Sequence, residues 1–393
     1  MPTFHLSTVK SENRKRSHTY SCCEQIRWSL KTILYLLLVY LIASPCSAQD
    51  RVHVKKKRFR LSPLPVLYYS PETRLGYGGL LAVNFETTKK HDSVTKSSYI
   101  QSSFIYTVND QYDFFNIARI YTPRNRDIIQ VRFDYAYFPE FYYGYETQNP
   151  NPLKDLIQYN RIVGDVRYYR KIKHSIYAGL VGHYNHIYHV ASDPDGSLAL
   201  TQPPGHDGYS VLGLAPAFSI DRRDSQIYPQ KGFFLEVLFG TYPSQWSGAY
   251  SFNTFKLDVR KYFPVKGLKN GVIALQALFN LNSGNVPFKD MADIGGSYMT
   301  RGYYTGFYRY KNLYAFQAEY RATLTGRLGM VVWGGCALTA LQWDRPFEFT
   351  PKPNAGLGLR FMINRADKLN VRFDQGFGNQ GQNGFYLDIA EAF

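Results

Sequence analysis

Long apolar runs are nearly missing from this 393-residue sequence. One stretch, Thr32-Ile-Leu-Tyr-Leu-Leu-Leu-Val-Tyr-Leu-Ile-Ala43, is about a dozen residues long. A helix needs roughly 20 apolar residues to cross a bilayer, and nothing after Ala43 approaches that length, so a bundle of membrane helices is excluded. Cysteine is equally scarce. Of four, Cys22, Cys23 and Cys46 fall in the first 46 positions, and Cys336 is left alone, so no disulfide framework can form in the body of the chain. Acidic residues are outnumbered, 30 against 46 Lys and Arg, for a net charge of +16. That excess is not carried on any recognisable nucleic-acid module, and no nucleic-acid partner is expected. Catalytic signatures are missing too: there is no Gly-x-Ser-x-Gly elbow, no His-Glu-x-x-His and no Cys/His cluster at zinc spacing. His183, His186 and His189 lie close in sequence. On a strand, however, His183 and His189 share a face about 20 Å apart while His186 points oppositely, which is poor geometry for a metal. No cofactor or metal is expected.

The first residues have the order of a targeting segment. Basic Arg14, Lys15, Arg16, Arg27 and Lys31 precede the apolar run, and Cys46-Ser47-Ala48 closes it with small residues. Residues 1–48 therefore read as a cleaved signal peptide, its run too short for an anchor. Pro45 disfavours lipid attachment at Cys46. A basic run follows, Arg51-Val-His-Val-Lys-Lys-Lys-Arg-Phe-Arg60. Residues 49–61 are expected to form a short basic periplasmic tail that meets anionic lipid head groups.

What the chain has in abundance is aromatic side chains. Tyr, Phe and Trp number 34, 27 and 4, or 17% of the chain, yet mean hydropathy is −0.33. A transmembrane barrel needs that combination: an apolar outer face, aromatic girdles and a polar interior. The sequence alternates accordingly. Ile129, Val131, Phe133, Tyr135 and Tyr137 oppose Gln130, Arg132 and Asp134; Phe255, Leu257 and Val259 oppose Lys256, Asp258 and Arg260. Tyr314, Phe316, Ala318, Tyr320, Ala322 and Leu324 oppose Gln317, Glu319, Arg321 and Thr323, and Leu369, Val371 and Phe373 oppose Asn370, Arg372 and Asp374. Successive side chains on a strand point to opposite faces, so each segment has one greasy and one charged face. A soluble sandwich alternates as well, but these segments run about ten residues with charges at their middles, which suits tilted membrane strands around a wet lumen.

The fold class expected is thus all-β: an antiparallel transmembrane barrel over residues 62–393 of about sixteen strands, an even number as such barrels have. The segments are 62–71, 74–87, 97–108, 111–121, 127–138, 157–170, 174–188, 209–220, 232–242, 250–263, 271–282, 312–324, 328–340, 354–364, 368–377 and 383–393. Longer connections, 138–156, 189–208, 283–311 and 341–353, should lie at the external end. Tight ones, such as 264–270 and 365–367, should face the periplasm. Gly-rich Leu75-Gly-Tyr-Gly-Gly79 has no helix after it to make a phosphate loop, and fits a strand where backbones approach closely.

Three motifs carry more. Gly295-Gly296-Ser297-Tyr298-Met299-Thr300-Arg301-Gly302-Tyr303, in the connection 283–311, resembles the Gly-Gly…Arg-Gly-Phe/Tyr loop of the BamA/TamA superfamily of outer-membrane barrels, the bacterial surface antigen family. Asp221-Arg-Arg223-Asp224…Pro229-x-x-Gly232 is similar to that family's turn between the eighth and ninth strands, with a structural role expected. The ending, with Phe385, Leu387, Ile389 and Phe393 on one face, resembles the terminal signal read by the outer-membrane assembly machinery. The resemblance implies that the loop folds into the lumen and that Arg301, flanked by Gly302 and Tyr303, is anchored on the inner wall. A guanidinium has five donors in a fixed fork and needs partners in a confined lumen. The family usually places an acid on a strand following the loop. Here that strand reads Val331-Val-Trp-Gly-Gly-Cys-Ala337, so Glu319, Asp258 or Asp374 must serve. A plain external loop with an incidental Arg-Gly-Tyr is the competing reading.

The resemblance implies an integral barrel in the outer membrane of a Gram-negative bacterium. It would be a short member without the periplasmic POTRA domains, assisting insertion or translocation of proteins or lipids with a POTRA-like partner. Pro63 and Pro65 remove ladder donors from the first strand, so the seam with the last strand should be incompletely paired. The alternatives are a passive pore or surface receptor, and an outer-membrane hydrolase built on a Ser/His pair. An enzyme is not expected.

Overall fold

Alternation with period two becomes a closed wall when every strand edge finds a neighbour. In the computed structural model, which describes residues 59–88, 94–265, 271–364 and 368–393, nineteen strands form. They are β1 (Phe59–Ser70), β2 (Arg74–Phe85), β3 (Ser98–Thr107), β4 (Tyr112–Tyr121), β5 (Asp127–Tyr137), β6 (Glu140–Tyr142), β7 (Asp155–Lys173), β8 (Ile176–Ala191), β9 (Tyr209–Asp221), β10 (Gly232–Tyr242), β11 (Phe252–Val265), β12 (Gly271–Gly284), β13 (Ala292–Ile294), β14 (Tyr308–Tyr310), β15 (Asn312–Thr325), β16 (Leu328–Ala340), β17 (Lys352–Asn364), β18 (Leu369–Gly378) and β19 (Asn383–Ile389). Sixteen make an antiparallel barrel that closes through β1 and β19, and β6, β13 and β14 lie outside its wall. Residues 1–48, expected to be a signal peptide, the basic run up to Arg58, and residues 89–93, 266–270 and 365–367 lie outside the described residues.

The distribution of exposure separates a lipid-facing barrel from a sandwich. On β15, Phe316 is 42% exposed while its neighbours Gln317, Glu319 and Arg321 are buried; on β17, Leu357, Leu359 and Phe361 are exposed while Arg360 is buried. The greasy face is thus outside and the charged face inside, the inverse of a water-soluble fold. A cation on such an outer face costs about 2–4 kcal/mol at mid-bilayer, so the pattern also sets the register.

Some boundaries differ from expectation. β1 starts at Phe59, so the last residues of the expected tail belong to the wall. β7 and β8 run to 19 and 16 residues, not ten. Their upper parts outgrow the wall, where Glu140–Tyr142 of β6 pairs with Asp155–Ile157 of β7. The longer connections 138–154, 192–208, 285–311 and 341–351 share one end of the barrel, and both ends of the described chain lie at the other. In β2, a side chain at Gly78 would come within 2.0 Å of the Phe104 carbonyl, and one at Gly76 would meet the Tyr68 ring. The Gly-rich piece therefore marks a close approach.

Candidate functional site

The connection from β12 to β15 does not stay outside. It enters the lumen as a β13/β14 hairpin, with Ala292 opposite Tyr310 and Ile294 opposite Tyr308. It packs as an aromatic plug in which Ile294, Tyr303, Phe307, Tyr308 and Tyr310 are fully buried. The tip turns on glycines that other residues could not replace. Gly295 has φ +118° and Gly302 φ +113°; a Cβ on Gly302 would stand 2.6 Å from the Phe377 backbone nitrogen. Gly296, at φ +95°, is less crowded. Such angles are open to glycine and strained elsewhere.

These turns drive Arg301 to the inner wall, where it is completely buried. Its Nη1 donates to Asp374 Oδ2 on β18 at 2.8 Å, and its Nη2 is paired with Glu319 on β15. Its plane lies over the Trp333 ring, 3.9 Å from the centroid. Trp333, on the strand that lacks an acid, thus supplies a π face, and the carboxylates come from strands on either side. Gly302 N–H donates to the Tyr386 hydroxyl at 3.0 Å, and that hydroxyl donates to the Tyr303 carbonyl at 3.2 Å. The Tyr303 hydroxyl donates to the Pro353 carbonyl at 2.7 Å and accepts from Asn379 N–H at 3.0 Å.

Arg301 is one member of a larger network. Asp374 also accepts from Arg360 at 2.6 Å and from Arg372 at 3.1 Å; Glu319 also accepts from Arg321 at 2.8 Å; Arg372 reaches Asp388 at 2.7 Å and Arg360 reaches Glu391 at 2.8 Å. Four guanidiniums thus meet four carboxylates inside a lumen wall. Each extra partner offsets desolvation that an isolated buried pair could not recover.

Of the three acids expected for Arg301, two are in place and the third is not. Asp258 instead accepts from Arg260 at 3.0 Å and from Gln276 at 3.0 Å, and reaches the loop only indirectly, through Gln276 and Gln317, whose amide donates to the Tyr298 carbonyl. Its inward direction was legible, but on β11, with β12 between it and β15, its carboxylate is engaged by Arg260 and Gln276. The C-terminal expectation also needs correction. Phe385 and Ile389 face outward, 42% exposed each, but Phe393 does not share their face. Ala390 adopts φ +71° and ends the strand, and the last residues turn into the lumen. There Glu391 meets Arg360 and Asn370, Phe393 packs on Tyr262, and its carbonyl accepts from Arg321 at 2.9 Å.

The turn motif also does more than bend the chain. Asp221 holds Arg223 in a fork, 2.9 and 3.1 Å, and Asp224 accepts backbone N–H groups of Gln230 and Lys231 ahead of Gly232, whose φ is +117°. The segment runs through Pro229 to Gly232, at the end of the barrel that holds its termini. Among the histidines, His183 bonds Asp165 at 2.7 Å on the inside. His186 Nδ1 lies 2.7 Å from Ser210 Oγ on the outer wall, between Tyr184 and Tyr188. The same Nδ1 also lies 3.2 Å from the Tyr209 carbonyl.

The seam is the weakest ladder. β1 pairs with β2 along its whole length, Phe59 with Phe85 through Ser70 with Arg74, but with β19 only at Tyr69 and Leu387. β19 ends at Ile389, so the lower part of β1 has no partner on that edge, and Phe59, Leu61, Leu64 and Leu67 are exposed. Pro63 and Pro65, two residues apart, remove N–H groups from one and the same edge. The loop spans this gap. Thr305 donates to Glu72, in the β1/β2 turn, from its N–H at 2.7 Å and its hydroxyl at 2.9 Å. On the other side, Arg301 and Gly302 hold β18 and β19, and Ser297 Oγ bonds Asp388 at 3.2 Å.

No family model and no curated protein matches the sequence. Solved structures do. BamA from Haemophilus ducreyi lacking POTRA domains 1–3 superposes with a TM-score of 0.57 at 10% identity, over 85% of this chain and 70% of that one. CdiB from Escherichia coli gives 0.55 at 9%, over 86% and 68%, and CdiB from Acinetobacter baumannii gives 0.52 at 11%, over 85% and 60%. The chain has the barrel fold of BamA and CdiB.

Proposed function

We propose that this chain works in an outer membrane, assisting the insertion or translocation of proteins or lipids by opening its wall between β1 and β19. The observation that carries this reading is the one-pair seam, Tyr69 with Leu387, in a wall whose other ladders pair over at least six positions. Unpaired backbone groups are costly in lipid, so an edge left open there is an edge meant for another occupant. The Arg301 loop is the latch. It holds both sides of the seam from within and occupies part of the lumen. A partner with POTRA-like binding domains would deliver the client, and the alternating Phe385, Leu387, Ile389, Phe393 ending would be read by the assembly machinery before the barrel folds.

The test is a reversible lock. Tyr69 and Leu387 are opposed in register, a separation that suits a disulfide. In a Cys336→Ser background, the Tyr69→Cys/Leu387→Cys protein is reconstituted in liposomes and offered an unfolded outer-membrane barrel or a labelled lipid. The oxidised form should be inactive and dithiothreitol should restore activity. Equal activity of oxidised and reduced protein would remove the seam mechanism.

A further inference from the structure

A cavity of about 270 Å³ opens on the inner wall near the barrel end that carries the turn motif, separate from the Arg301 network. Five cations line it: Lys96 before β3, Arg119 on β4, Arg167 on β7, Arg223 in the turn motif and Arg260 on β11. Three are matched by carboxylates. Arg223 is held by Asp221 and Arg260 by Asp258, while Arg167 stands 3.4 Å from Glu236, whose other oxygen accepts from Tyr169 at 2.7 Å. Two are not matched. Arg119 spends its Nε on the amide oxygen of Gln130 at 2.9 Å, and its Nη2 turns to the same atom. Lys96, exposed, lies 5.9 Å from the Tyr121 ring centroid. Neither has a carboxylate within ion-pair distance among the described residues, although Asp221 acts on Lys96 and Glu236 on Arg119 at longer range, and the buried Nε of Arg167 has no hydrogen-bond partner there.

Five cations thus stand against the lining carboxylates Asp221 and Glu236, with Asp258 on Arg260, so the cavity keeps an excess of positive charge. In a confined cavity, low-dielectric walls focus that potential toward anions. The cavity is too narrow for a folded segment and close to the lower bound of small-ligand sites. A planar guanidinium beside an ammonium suits a tetrahedral dianion.

We propose that this cavity binds a phosphate group, entering from the mouth at the turn-motif end. Arg119 and Lys96 are its principal ligands and Arg167 Nε a further donor. The group is either soluble phosphate or pyrophosphate, or the phosphomonoester of a lipid head group reaching in over the rim. The site is independent of the seam and of the latch, so it stands or falls apart from them.

The experiment uses the full chain. Inorganic pyrophosphate is titrated into protein in a neutral detergent, and protein is reconstituted in phosphatidylcholine vesicles with and without phosphatidic acid, each followed by ³¹P NMR and calorimetry. Pyrophosphate binding alone assigns the soluble source; headgroup broadening confined to phosphatidic acid assigns the lipid. Lys96→Gln/Arg119→Gln should weaken either by about tenfold or more, the loss of at least one charge-assisted contact. Lys173→Gln, exposed at the same end but outside the cavity, should stay within about twofold. Because Lys96 is exposed, Lys96→Gln alone serves as the variant least able to disturb folding, and it should weaken binding measurably. Wild-type protein that binds neither probe overturns the proposal, as does binding that the double variant leaves unchanged.

Discussion

At the scale of single residues, Arg301 stands out because each of its neighbours was placed for it. Removing it leaves Glu319 with Arg321 and Asp374 with Arg360 and Arg372, and takes one positive charge out of a buried network, a loss of at most about 3–5 kcal/mol. Arg301→Ala should therefore lower the temperature at which the folded band disappears on semi-native gels and open the loop to trypsin at Lys289, which is otherwise buried against Glu140. Arg301→Lys should recover only part of this, since an ammonium cannot serve two carboxylates and stack on Trp333 as a planar fork does. Arg345→Ala, exposed in the connection 341–351, should shift the transition by no more than about 0.5 kcal/mol. If Arg301→Ala behaves like Arg345→Ala, the loop is not a latch. Gly302→Ala should resemble Arg301→Ala although it removes no charge, because its new methyl would collide with the Phe377 backbone. Gly296→Ala should be milder, with only the Thr305 hydroxyl 3.1 Å away.

At the scale of elements, the last strand and the residues after it do two jobs over Asn383–Phe393. The first part is wall and the last four residues are lumen filling. Glu391 and Arg360 should show a coupling of order 1–3 kcal/mol in a double-mutant cycle, as residues sharing a buried network do. Additive effects of Glu391→Gln and Arg360→Gln would mean that the tail is not docked. Removing residues 390–393 should destabilise the folded barrel more than Phe385→Ala does, since Phe385 gives up its outward face and one ring contact with Tyr69 while the tail releases Arg360 and Arg321.

At the scale of the whole molecule, stability is unevenly spread around the wall. A barrel abolishes edges only if it closes, and this one closes at a single residue pair. Amide hydrogen exchange in detergent should therefore be fastest along Phe59–Tyr68 and slowest where ladders are long on both sides, as in β8 and β11. Uniform protection of all sixteen wall strands would contradict the seam.

The amino-acid sequence by itself determined the wall. Alternation is a local property: whether Phe316 faces lipid and Glu319 faces the lumen follows from their spacing and from the cost of a charge in hydrocarbon, without reference to any distant residue. Strand number, the end that carries the long connections and the inward entry of the Arg301 loop were legible for the same reason, the last through its glycines and a resemblance. Which inward side chains meet was not legible. Glu319, Asp258 and Asp374 look alike in sequence, yet only two stand beside Arg301, because closure of the barrel and the stagger of its strands decide which parts of the wall face one another. Phe393 looked like a continuation of its strand, since nothing in Ala390 announces a positive φ; the buried partners of Glu391 and the Phe393 carbonyl make that turn favourable. The pairing of Arg223 and Arg260, and the lack of a carboxylate within ion-pair distance of Lys96 and Arg119, were likewise decided only in three dimensions. Charge balance inside a lumen is a property of neighbours across strands, and period two says nothing about them.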